Sequence, residues 1–103
     1  MEKTVIYSKD GKEAKMTLID SAAAVIEYKR VFGTSFFEDM RDDYSTALLQ
    51  ISYLMQKPKI SDRISAEDYL ASLPMSAVPK IAEAVGEMMN GESSEGDSDK
   101  GKN

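Results

Sequence analysis

Residues 21–40 read SAAAVIEYKRVFGTSFFEDM and contain two helix signals that meet at Gly33. Apolar side chains recur at helical spacing before this glycine, and Gly33 stands where a helix can end in the left-handed conformation. Ser35 and Glu38 have the spacing of a capping box, so a second helix is expected to begin at Phe36. The stretch therefore predicts a compact helical corner, and none of its side chains is well suited to catalysis.

The region before this corner has the pattern of a β-hairpin. Residues 4–7 are rich in β-branched and aromatic side chains, and residues 14–19 alternate between two faces. The pair Asp10 and Gly11, which is typical of a tight hairpin turn, lies between them. A lone hairpin is barely stable in water, so we expect residues 4–19 to pack against the helices.

Three more helical segments are expected after the corner. The most apolar one covers residues 44–56, and Pro58 disfavours its continuation. A short helix follows the capping residue Ser65, and a final helix follows Ser76. Residues 91–103 contain no apolar side chain and are predicted to be a disordered acidic tail.

These segments predict one mainly α domain of four to five helices over residues 1–90, with an N-terminal β-hairpin and a polar tail over residues 91–103. A chain of 103 residues suits a single small domain. The predicted core consists of apolar residues from each segment: Ile6, Leu18, Val25, Ile26, Phe32, Leu48, Ile51, Leu54, Ile81 and Val85.

The composition of the chain argues against several classes of function. The chain has no cysteine and no histidine, which removes disulfides, thiolate metal sites and the commonest general base. No catalytic, cofactor-binding or metal-binding residue is predicted. The paired carboxylates Asp42-Asp43 and Glu67-Asp68 do not converge on one point, and they are better explained as acidic residues that favour the start of a helix. The net charge of −5 disfavours nucleic acid as a partner. The longest apolar run is far too short to cross a bilayer, and the absence of cysteine leads us to expect a cytoplasmic protein.

Surplus apolar residues indicate a binding surface. Phe36 and Phe37 cannot easily face one core, and the same holds for Met88 and Met89. Methionine adapts its shape and is common on binding surfaces, although core packing is its default role. On this basis we predict four partner-binding residues, which are Phe37, Tyr53, Met88 and Met89.

Several of these motifs occur in an order that resembles a known family. An Asp-Gly-Lys-Glu turn at residues 10–13 precedes YKRVFG at residues 28–33 and FFEDM at residues 36–40. After the mid-chain apolar helix, SAEDYL at residues 65–70 precedes the last helix. Over residues 4–89 this order resembles the small tail assembly chaperones of long-tailed bacteriophages and prophages, especially those of Gram-positive bacteria.

The resemblance implies a non-enzymatic protein that works in the host cytoplasm during virion assembly. Such proteins coat and solubilise the tape measure protein, and they are absent from the finished virion. A longer form, often made by ribosomal frameshifting, recruits tail tube subunits, and the short form can also associate with itself. Residues 101–103 can be encoded by GGA-AAA-AAC, which contains a heptamer on which ribosomes slip back one base.

Other functions stay open at this point. A small structural virion component, such as a head–tail completion or connector protein, would share the size and the helical content. A regulator that binds host proteins or DNA is a further class, although no basic helix supports DNA binding. A carboxylate-dependent hydrolase is the last alternative, and no convergent polar cluster indicates one.

Overall fold

The computed structural model describes residues 1–91, and it begins with an antiparallel β-hairpin. Strand β1 covers Glu2–Lys9 and strand β2 covers Lys12–Ile19, with Lys9 opposite Lys12. Asp10 and Gly11 form the two-residue turn, and their φ angles of 54° and 78° are both positive. Such angles match the twist of the strands and suit aspartate and glycine, so the predicted hairpin is confirmed.

The hairpin register decides which face of β1 is buried. Val5 lies opposite Met16, and both side chains are buried. Because side chains alternate along a strand, Ile6 points to the other face and is 49% exposed. The prediction that Ile6 belongs to the core is therefore wrong, and Val5 takes that place.

The helical corner forms as the sequence indicates. Helix α1 covers Ala22–Phe32, is capped by the side chain of Ser21, and ends at Gly33 with a φ angle of 85°. Helix α2 covers Phe36–Asp42, and the Ser35 hydroxyl accepts a hydrogen bond from the Phe37 N–H. A left-handed glycine between two capped helices turns the chain within three residues.

Helix α1 is rotated about its axis, so the face that it buries differs from the predicted one. Its fully buried residues are Ala24 and Tyr28, four positions apart on one face. Val25 and Phe32 only flank the core, and Ile26 is 71% exposed, so the prediction that Ile26 is buried is wrong. The small Ala24 allows close approach, and the ring of Tyr28 packs 5.2 Å from that of Phe36, measured between ring centroids.

Helix α3 lies at the centre of the fold and covers Tyr44–Ser52. It ends four residues earlier than predicted, because residues 53–57 leave the helix to run beside β2. The Ile19 N–H donates to the Met55 carbonyl at 2.7 Å, and the Lys57 N–H donates to the Thr17 carbonyl at 2.9 Å. The segment thus covers part of the open edge of β2, which would otherwise present unpaired backbone groups.

The last two helices complete the described chain. Helix α4 covers Ala66–Ser72 and is capped by Ser65, as predicted. Helix α5 covers Ala77–Met89, but the Ser76 side chain makes no capping hydrogen bond, so that predicted cap is wrong. Ser76 already has helical backbone angles, which direct its side chain away from the first free N–H groups.

Residues 1–91 therefore form five helices and one hairpin around a shared core. α3 packs against both α2 and α5, and α5 also packs against β1. The predicted core residues Leu18, Leu48, Ile51, Leu54, Ile81 and Val85 are buried. No helix within these residues is long and apolar enough to cross a membrane. The predicted tail beyond Gly91 and the frameshift codons lie outside the described residues.

Candidate partner-binding groove

An open depression, which we term the apolar groove, lies where α1, α2, α3 and α5 meet. It encloses about 380 Å³. Its lining is mostly apolar and consists of Asp20, Ser21, Ala22, Val25, Phe36, Phe37, Ile51, Met55, Met88, Met89 and Gly91. Clefts of roughly 300 Å³ or more with apolar walls are typical binding sites in proteins.

Two pairs of neighbouring residues build the walls of this groove. In α2, Phe36 is 1% exposed whereas Phe37 is 54% exposed, and their ring centroids are 5.7 Å apart. Near the end of α5, Met88 is 2% exposed whereas Met89 is 39% exposed. Consecutive helical residues point about 100° apart, so one member of each pair anchors the wall while the other faces solvent.

The predicted partner-binding residues therefore divide into two groups. Phe37 and Met89 are exposed and line the same groove, although 52 positions of sequence separate them. Tyr53 and Met88 are 3% and 2% exposed, so a core role replaces the predicted surface role for these two. The Tyr53 ring packs against Tyr69, and its hydroxyl donates to the Ile64 carbonyl, which accounts for its burial.

Other residues of the groove were not predicted as contacts. Ala22 and Val25 form the α1 side of the groove, and Ile51 and Met55 form its floor. Their apolar spacing is visible in the sequence, but spacing alone does not distinguish a groove wall from the interior of a core. The rotation of α1 described above leaves Val25 half-buried and available at this surface.

A polar cluster fixes the corner beside the groove. The Tyr28 hydroxyl donates to Asp39 Oδ2 at 2.6 Å and lies 2.6 Å from the amide oxygen of Gln50, so it joins α1, α2 and α3. Thr34 also donates to Asp39 Oδ2, at 2.7 Å. These hydrogen bonds, from Tyr28 first and Thr34 second, lower the pKa of the Asp39 carboxyl. Burial and the same carboxylate raise the pKa of Tyr28 well above its usual range.

Three of the other depressions within residues 1–91 carry more charged or polar side chains. One lies between β1 and α5, where Lys3 Nζ is 2.8 Å from Glu87 Oε1. Another lies beside α1, where Lys59 Nζ is 3.1 Å from Glu27 Oε2. The last is lined mainly by α2 and α3 residues and is acidic. Within residues 1–91, no cluster of three acidic side chains could hold a metal ion. The apolar groove is thus the candidate site for a partner.

Comparison with protein-family models, curated proteins and solved structures found no match for this chain. Function is therefore inferred from the groove itself and from the order of sequence motifs. The groove supplies apolar anchors from four helices.

Proposed function

We propose that this chain is a tail assembly chaperone that binds helical segments of a phage tape measure protein and keeps them soluble. The observation that supports the proposal most is the apolar groove with exposed Phe37 and Met89 on its walls. Such a groove suits the apolar face of an amphipathic helix, whose anchors recur every three or four residues. The order of motifs that resembles the chaperone family supplies the identity of the partner.

The size of the groove is compatible with a chaperone that binds through many weak contacts. Burying one large apolar side chain contributes about 1.5–3 kcal/mol. Association itself costs about 4–15 kcal/mol, so a site with two exposed anchors gives weak binding for one copy. When many copies bind along one long helical protein, their weak contacts add up to a stable coat. Each copy can still be displaced by a tube subunit.

Co-expression with the tape measure protein from the same gene cluster tests the proposal. We expect the large protein to become soluble and to co-purify with a tagged form of this chain, with mass spectrometry identifying both. We also expect purified virions to lack this chain. Its presence there at a fixed copy number, without co-purification of the tape measure protein, would identify it as a structural virion component instead.

A matched pair of methionine variants tests the groove itself. Met89 lines the groove, whereas Met75 is 90% exposed and lies outside it. Met89→Glu places a charge against the apolar face of the partner, so we expect at least a tenfold loss of co-purified tape measure protein. Met75→Glu should retain wild-type recovery. Equal recovery of the tape measure protein with both variants would show that the groove is not part of the binding surface.

A further inference from the structure

The two walls of the apolar groove that come from α1 and α2 are joined by one side chain. Tyr28 follows Val25 of the α1 wall by three positions, and residues at this spacing are neighbours on a helix. Its hydroxyl donates to Asp39 Oδ2 of α2 at 2.6 Å, and Asp39 follows Phe37 of the α2 wall by two positions. Within residues 1–91 this is the only side-chain hydrogen bond that links α1 to α2.

The ring of Tyr28 supports the α2 wall from beneath. Tyr28 is fully buried, and its ring centroid lies 5.2 Å from that of Phe36, which lines the groove. Phe36 in turn lies 5.7 Å from the exposed ring of Phe37. Because water does not reach the Tyr28 side chain, its hydrogen bonds are stronger than bonds of the same kind at the surface.

The same hydroxyl also reaches the floor of the groove. It lies 2.6 Å from Gln50 Oε1 of α3, and the next residue, Ile51, forms part of that floor. One buried oxygen atom therefore contacts residues beside three of the four helices that line the groove. The fourth helix, α5, places Met89 at the groove through the apolar packing of Met88.

We propose that Tyr28 is a positioning residue for partner binding, because its hydroxyl holds Phe37 where the apolar face of a bound amphipathic helix meets it. The inference rests on the proposed function and adds how the groove keeps its shape before the partner arrives. Ring packing is not directional, whereas a hydrogen bond fixes both a distance and an angle. Without the hydroxyl, α2 is less firmly placed against α1, and ordering the groove on binding then costs affinity.

Two tyrosine variants of the full-length protein test this role. Tyr28→Phe and Tyr69→Phe each remove one buried phenol hydroxyl, and neither residue lines the groove. The Tyr69 hydroxyl lies 2.7 Å from the Ser52 hydroxyl and joins α4 to α3. Fluorescence anisotropy with a labelled, stapled amphipathic helix as the probe should show about fivefold weaker binding by Tyr28→Phe, because preorganisation is lost. Tyr69→Phe should retain the wild-type affinity within a factor of about two.

Substitutions of the acceptor distinguish positioning from a general loss of stability. Asp39→Asn keeps an acceptor oxygen and should retain the affinity, whereas Asp39→Ala should bind as weakly as Tyr28→Phe. Combining Asp39→Ala with Tyr28→Phe should cause no further loss, since both remove the same contact. Thr34→Ala removes the other hydrogen bond to Asp39 Oδ2, which does not join the two walls, and should bind normally. Circular dichroism confirms that each variant is folded at the temperature of the binding assay.

The outcomes separate this inference from the proposed function. Wild-type affinity in Tyr28→Phe would overturn the inference even if the tape measure protein co-purifies. An equal loss in Tyr69→Phe, or an Asp39→Asn variant as weak as Asp39→Ala, would also overturn it. Absence of probe binding by the wild type would overturn it too, because the groove would not accept an amphipathic helix. A loss confined to the Tyr28 and Asp39→Ala variants, without co-purification of the tape measure protein, would overturn the proposed function alone.

Discussion

At the scale of single residues, one peptide bond separates core from surface at the end of α5. Met88 packs among the buried side chains, whereas Met89 faces the solvent at the groove. The two share chemistry and sequence neighbourhood, so their difference in burial isolates the effect of packing on stability. A similar division separates Phe36 from Phe37 in α2.

Truncating each methionine should reveal this division. Met88→Ala removes buried methylene and sulfur atoms and leaves a cavity, so we expect it to lower the free energy of unfolding by about 2–5 kcal/mol. Met89→Ala should change it by less than about 0.5 kcal/mol. Urea titrations followed by circular dichroism measure both values. Similar losses for the two variants would contradict the burial of Met88.

At the scale of elements, the hairpin shows how a turn of two residues sets the buried face of two strands. With Asp10 and Gly11 as the turn, Lys9 must lie opposite Lys12, and Val5 must then lie opposite Met16. The shared face of Met16 and Leu18 therefore includes Val5 and excludes Ile6.

A pair of threonine substitutions tests that register. Val5→Thr keeps the shape and the β propensity but buries a hydroxyl group, so we expect a loss of about 1–3 kcal/mol in the free energy of unfolding. Ile6→Thr changes a half-exposed position and should cost less than about 1 kcal/mol. Thermal and urea unfolding measure both, and the reverse order of costs would indicate a slipped register.

Local signals in the sequence predicted most of the elements but not their rotation. Gly33 and the capping serines at 35 and 65 indicate helix ends that the structure confirms, because capping depends on neighbours within a few residues. The rotation of α1 depends on Tyr28, which bonds to Asp39 and Gln50 from two other helices. Such partners become visible only when the helices are assembled, and helical spacing alone wrongly predicts Ile26 in the core.

At the scale of the whole molecule, buried tyrosines couple the fold to alkaline pH. Burial raises the pKa of Tyr69 to about 12, and its hydroxyl lies 2.7 Å from the Ser52 hydroxyl. A phenol with a raised pKa in the folded state stays protonated there, whereas the unfolded chain loses that proton near pH 10. The stability that Tyr69 contributes is therefore present below about pH 10 and is lost as the pH rises toward 12.

Unfolding measured between pH 8 and pH 11.5 tests this coupling. We expect the wild-type unfolding midpoint to fall steeply above pH 10. Tyr69→Phe should lower the free energy of unfolding by about 1 kcal/mol at pH 8, because one hydrogen bond is lost. It should then lose less stability than the wild type on going to pH 11.5, since the phenylalanine cannot ionise. An equal alkaline loss in both proteins would exclude Tyr69 as a contributor.

The groove also belongs to this scale, because four helices contribute to it. Phe37 and Met89 were predicted as contacts from surplus apolar character, and the fold brings them to one surface. The sequence could not indicate that Tyr53 and Met88 fill the core instead, because both choices share the same helical spacing. A prediction of contacts needs the rotation of each helix as well as its pattern.

The packing of α5 against β1 has a consequence for synthesis. The ribosome makes β1 first and α5 last among the described elements, yet Lys3 pairs with Glu87 and Lys80 Nζ lies 3.4 Å from the Ile6 carbonyl oxygen. Until α5 leaves the exit tunnel, the apolar faces of β1 and α3 lack their cover. Folding of residues 1–91 must therefore wait for the synthesis of α5, and a chain released before α5 would be a target for proteases instead of a shorter working protein.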